Sequence, residues 1–117
     1  MKKVYHLATC STCQRIIKEL EIGEEFTYQN IKEEKISEAQ IEELFELSGS
    51  YEALFSRKAM KFREWGLKEK NLSEEDYKNY ILQEYTFLKR PVFIIDDEIF
   101  IGNSKKTVET IKQKLNS

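Results

Sequence analysis

Apolar residues change their spacing along this chain, and the changes mark out its elements. Val4 and Tyr5 lie in a short β-forming run, about Lys3 to Leu7, that leads into the polar turn Ala8-Thr9-Cys10-Ser11-Thr12-Cys13. From Gln14 to Leu20 the spacing becomes helical: Ile16, Ile17 and Leu20 make a stripe, Gln14, Arg15, Lys18 and Glu19 stay polar, and Gly23 is the expected stop. Phe26 to Ile31 then alternates apolar with polar, as a half-buried strand does. Strand, helix and strand in this order predict a βαβ unit with both cysteines at its first turn.

The middle of the chain keeps a helical period. Ser37 with Gln40 has the spacing of a capping box, and Ile41, Leu44 and Phe45 form a stripe that ends near Gly49. A second helical start near Ser50 is expected to run through Ala53, Leu54 and Phe55 toward Arg57. Met60 to Trp65 reads as a further short helix closed by Gly66. Ser73 caps another, with Tyr77, Tyr80, Ile81 and Tyr85 as an aromatic stripe whose simplest role is core packing.

The β pattern returns at the only proline. Val92 to Ile95 and Glu98 to Ile101, joined by Asp96-Asp97, predict a β-hairpin, and Ser104 caps a last helix with Val108, Ile111 and Leu115 on one face. The expectation is therefore a single α/β domain over 1–117, with strands at both ends and a helical block inserted at about 36–86. A chain of 117 residues is long enough to bury one core without metal or disulfide staples.

Composition narrows the functional classes. With 40% hydrophobic and 34% charged residues and a net charge of −2, the chain has no overall basic field to draw it to nucleic acid or to an anionic membrane. Its longest apolar stretch, Val92 to Ile95, is far too short to span a bilayer, and Met1-Lys2-Lys3 leads into a strand, not a signal-peptide apolar region. A cytoplasmic protein is expected. In that compartment thiols are kept reduced, so a close cysteine pair points to redox chemistry or metal binding before structure.

Cys10 and Cys13 stand about one helical turn apart, close enough to bridge. Cys10 precedes the first helical turn, where unpaired N–H groups and the positive end of the helix favour a thiolate. That makes Cys10 the expected nucleophile and Cys13 the resolving thiol. Two other readings of the pair stand beside this one: a zinc site, for which two Cys and one His would need carboxylate help, and a pair of inert core residues. His6, the only histidine, is either an imidazolium partner for Cys10 or an ordinary strand residue. Arg57-Lys58 and Arg90 are candidate oxyanion binders by guanidinium chemistry, though periodicity does not distinguish them from solvated surface residues.

Taken together, Tyr5-His6, Cys10-Ser11-Thr12-Cys13-Gln14-Arg15, Leu54-Phe55-Ser56-Arg57-Lys58 and Leu88-Lys89-Arg90-Pro91-Val92 resemble the glutaredoxin-coupled arsenate reductase family, which includes the Spx-type transcription regulators. The resemblance implies a thioredoxin-like mixed four-stranded sheet flanked by helices, with a helical insertion and a cis peptide bond before Pro91. It places the nucleophile on Cys10, a helper on His6 and oxyanion contacts on Arg57 and Arg90. Ser11 and Thr12, between the cysteines, join the arginines as expected oxyanion-binding residues. The implied substrate is a small oxyanion such as arsenate, or a disulfide. Glutathione, glutaredoxin or thioredoxin is the implied electron donor, with no bound cofactor or metal, and the expected state is a monomer.

Three features depart from the enzymes' pattern. Their third arginine, after the last hairpin, is replaced here by Ile101-Gly102-Asn103-Ser104, and Gly102 together with Cys13 is more like the regulators. Conversely, the sequence stops soon after the last helix, short of the extension on longer members. The alternative expectation is thus a redox-sensing regulator of RNA polymerase, with Cys10 and Cys13 as a disulfide switch.

Overall fold

The computed structural model describes residues 1–116, which fall into two compact units: 1–34 with 90–116, and 35–89. The first unit contains β1 (Lys2–His6), α1 (Ser11–Glu19), β2 (Thr27–Asn30), β3 (Val92–Ile95), β4 (Glu98–Ile101) and α5 (Lys105–Leu115). The second contains α2 (Glu38–Ser48), α3 (Met60–Glu64), α4 (Glu74–Gln83) and three single 3-10 turns.

In the first unit the strands form one sheet of order β2-β1-β3-β4, with β1 parallel to β2 and antiparallel to β3, and β3 antiparallel to β4. A parallel pair needs a crossover, and α1 supplies it. The stripe foreseen on α1 buries Ile16 and Leu20 against Val4, Phe26, Phe93, Ile95 and Phe100, while Val108 and Ile111 of α5 complete the same core. Lys112 of α5 pairs with Glu19 of α1 at 2.8 Å across this layer. Ile95 opposite Glu98 leaves Asp96 and Asp97 as the two-residue hairpin loop, and Asp96 adopts a positive φ of 60° to close it.

Two local expectations fail in this unit. The β2 alternation is reversed at its centre: Tyr28 is 39% exposed and Gln29 only 2%. Gln29 tolerates burial because its amide donates to the Glu34 carbonyl at 3.0 Å. Helix α1 also stops before Gly23, with Leu20 at its C-cap and Glu21 in the left-handed region at φ 54°. A side chain there meets a carbonyl that glycine avoids. Glu21→Gly is therefore expected to stabilise the protein by about 0.5–1 kcal/mol, seen as a higher urea midpoint at unchanged slope.

In the second unit, capping boxes open α2 at Ser37 with Gln40 and α4 at Ser73 with Asp76. Gly49 ends α2 at φ 79°, donating to the Phe45 carbonyl at 2.7 Å. The two helices are tied by Lys78, 8% exposed, which reaches Glu38 at 3.1 Å and Glu42 at 3.4 Å. A helix from near Ser50 is expected to carry Phe55, and the Ser73 helix to reach Tyr85, but the structure has only the 3-10 turns Glu52–Leu54 and Tyr85–Phe87 there. Their ends are held by a bridge between Phe55 and Leu88, with Ser56 N–H donating to Phe87 and Lys89 N–H to Leu54. Phe55 thereby becomes the hub of an aromatic cluster, 4.9 Å from both the Phe87 and Tyr77 rings.

Candidate active site

The cysteine turn is built by local hydrogen bonding. Cys10 N–H donates to Leu7 at 2.9 Å, and the Cys10 carbonyl accepts the first helical bond from Gln14 N–H at 3.0 Å. Cys10 is the N-cap of α1 in an extended conformation. Two polar side chains brace the loop from either side: Gln14 donates its amide to the Ala8 carbonyl, and Asn30 Oδ1 accepts from Ala8 N–H at 3.3 Å. Gln14 stands in the motif that carries the family resemblance, but no sequence feature assigns it this bracing role, and the approach of Asn30 depends on strand pairing that no local pattern records.

The two thiols occupy unlike environments. Cys10 is half-buried and Cys13 fully buried. Burial is the largest single influence on Cys10 and pushes its thiol up. It is outweighed by hydrogen bonds from the Cys13 N–H, the Cys13 thiol and the Thr12 N–H, and by the charge of Arg90, so Cys10 titrates below its ordinary value. Cys13 goes the other way. Burial, reinforced by the neighbouring Cys10 charge and opposed by a backbone hydrogen bond at Leu7 and by Arg90, raises it to about 11. The shifts are opposed: Cys10 ionises more readily than an ordinary thiol, whereas Cys13 remains a thiol at neutral pH.

Arg90 precedes Pro91 through a cis peptide bond, and its charge reaches both cysteines. Thr12 contributes its backbone N–H to Cys10, and Ser11 is the exposed first residue of α1. Cys10, Cys13, Thr12 and Arg90 are thus brought together. His6 is not among the groups that set the Cys10 charge. Its ring meets Tyr28 edge-on at 5.9 Å, beside a cavity of about 590 Å³ that Gln14 and Ile17 also line. Burial pushes its imidazole below the ordinary value, away from the imidazolium that the sequence suggested. Arg57 lies in the second unit, where its guanidinium meets Glu52 at 2.6 Å and the Tyr77 hydroxyl at 2.7 Å. Gly102, after the last hairpin strand, has φ 92° and donates its N–H to the Pro91 carbonyl at 2.9 Å. Among the described residues no three His, Cys, Asp or Glu side chains converge on a metal position, and no helix is long and apolar enough to cross a membrane.

The opposed shifts give a pH signature. Alkylation of Cys10 by iodoacetamide is expected to show a midpoint below that of an ordinary thiol, while Cys13 stays unreactive until the pH approaches about 11. Because the folded-state pKa of Cys13 is raised, its contribution to stability is complete below the unfolded thiol value and is lost as pH rises toward about 11. Mass spectrometry of the alkylated sites and urea melts across that range read both effects; a single shared midpoint for the two thiols would contradict them.

A parallel βαβ unit joined to an antiparallel hairpin and a final helix, with a cysteine pair at the first βα turn and a cis-proline opening β3, is a thioredoxin-like architecture. Residues 5–111 match the family model of the ArsC family, and the chain belongs to that family. Solved structures agree in fold. An arsenate reductase from Vibrio cholerae superposes with a TM-score of 0.76 at 17% identity, covering 96% of this chain and 95% of the other. An arsenate reductase (ArsC) related protein from Brucella melitensis gives 0.72 at 20% identity, covering 93% and 92%. No curated protein matches the sequence.

Proposed function

We propose that this protein is a cytoplasmic thiol oxidoreductase in which Cys10 attacks the substrate and Cys13 resolves the adduct. The observation that carries the reading is the asymmetry of the pair: a half-buried thiol lowered by its neighbours, hydrogen-bonded to a buried thiol raised to about 11. A nucleophile must be ionised before it attacks, whereas a resolving thiol works best if it stays protonated until an adduct forms beside it.

With arsenate, Cys10 Sγ bonds to arsenic and one oxygen leaves as water after protonation. Cys13 then loses its proton and attacks Cys10 Sγ. The sulfur–arsenic bond breaks with its electron pair left on arsenic, giving arsenite and a Cys10–Cys13 disulfide. Glutathione, glutaredoxin or thioredoxin returns two electrons and two protons. With a disulfide substrate the first adduct is a mixed disulfide, and the departing thiolate takes the place of arsenite. Arg90 and the N–H groups of Ser11 and Thr12 offer positive charge to an oxyanion beside Cys10. The parts given to His6 and Arg57 come from the family resemblance.

The test is arsenate-dependent NADPH oxidation coupled through glutathione and glutaredoxin, and separately through thioredoxin, on the wild type and on Cys13→Ser, His6→Ala and Arg57→Lys. Turnover that falls in Cys13→Ser supports internal resolution, and no turnover with arsenate or a disulfide substrate by either route sinks the enzyme reading.

The second reading is a regulator that binds RNA polymerase and uses Cys10 and Cys13 as a switch. Gly102 favours it, since its φ of 92° suits glycine at the place where the family's enzymes carry a third arginine. Co-purification with polymerase, lost on oxidation and unaccompanied by turnover, would select this alternative.

A further inference from the structure

We propose that the helical unit binds a small organic phosphate, carrying two or more negative charges on an apolar or aromatic body, in a cavity lined by Arg57, Lys68 and Lys70. Residues 57–70 hold six Lys or Arg against two Glu, an excess of four positive charges in a chain whose net charge is −2. Three of the six, Arg57, Lys68 and Lys70, line a cavity of about 570 Å³ that Asn71 and Tyr77 also line, with Phe62 as an aromatic wall. Among the described residues that line it, three are cationic and none is a carboxylate. Its size falls within the roughly 300–1,000 Å³ typical of small-ligand sites.

The cations are unequally committed. Arg57 is held by Glu52 at 2.6 Å, whereas Lys68 and Lys70 make none of the described ion pairs. Asp76, whose carboxyl feels Lys70, is already occupied by the Ser73 capping bonds. A guanidinium fork beside two ammonium groups matches a phosphate of multiple charge better than a single carboxylate. Such a ligand would share Arg57 with Glu52. A second cavity of about 750 Å³ shares Arg57, Phe62 and Lys68; Lys58 and Arg63 in its lining are matched by Glu64 and Glu69, and Met60, 77% exposed, lies with Phe62 where a body extending from the phosphates would meet sulfur and an aromatic ring.

Calorimetric titration of the full chain with ATP and, separately, with pyrophosphate tests the site. The expected result is saturable binding of one ATP per chain, with pyrophosphate at least about tenfold weaker because it lacks the body. Lys68→Glu combined with Lys70→Glu is expected to weaken ATP by at least about tenfold, while the variant melts cooperatively and its Cys10 alkylates at the wild-type rate. No saturation with ATP, equal binding of the two probes, or undiminished binding by the double variant overturns the proposal. So does tighter binding of a poly-glutamate peptide than of ATP, which would make the surface a protein-docking face. The thiol chemistry is read independently: Cys10→Ser is expected to bind ATP like the wild type, so either reading can fail without the other.

Discussion

Cys10→Ser is expected to abolish turnover, by roughly a thousandfold or more, with the fold retained. Serine keeps the shape of the N-cap and even improves it, since Ser accepts the N–H bonds that a cap offers, so a loss of activity cannot be blamed on the helix start. What disappears is the one group whose ionisation is favoured by the Thr12 and Cys13 N–H groups and by Arg90. Cys13→Ser is the informative partner. It should leave the first step intact, so mass spectrometry after incubation with a disulfide substrate is expected to find Cys10 trapped as a mixed disulfide. If Cys10→Ser retained the rate while Cys13→Ser lost it, the roles would be reversed.

Phe55→Ala is expected to cost about 3–5 kcal/mol, a large part of the roughly 5–15 kcal/mol that holds an ordinary domain together. Phe55 is fully buried, stacks on Phe87, tilts against Tyr77 and meets Phe62 edge-on at 6.0 Å. The unit it serves is assembled from α3, of 5 residues, and three single 3-10 turns besides α2 and α4. Elements that short gain little from their own backbone bonds and depend on packing. Urea unfolding by circular dichroism measures the loss, and Phe55→Leu, which keeps most of the volume, should recover much of it. A loss below about 1 kcal/mol for the alanine variant would show that the aromatic cluster is not the unit's main support.

What the sequence made legible was whatever is decided within a few residues. The Ser37 and Ser73 capping boxes, the α1 stripe, the hairpin around Asp96-Asp97 and the turn that carries Cys10 and Cys13 were all readable from spacing. The failures share a cause. Tyr28 and Gln29 exchange places because β1 pairing and the Glu34 carbonyl decide which side chain is buried, and neither is visible in an alternating pattern. Phe55 and Tyr85 leave the helices expected for them because a bridge to Leu88 competes with helix extension. In the candidate site, the placement of Cys10 before a helix is local and was foreseen. The charge of Arg90 beside it depends on bringing together segments eighty residues apart, and only the family resemblance pointed there.

Gly102 bears on what the loop after the last hairpin strand can carry. A side-chain carbon added there would meet nothing within 4 Å, so the obstacle to another residue is backbone conformation and not crowding. For a residue with a side chain that obstacle is about 1–2 kcal/mol. A larger side chain placed after the last hairpin strand would thus meet open space, and its cost would lie in the backbone alone.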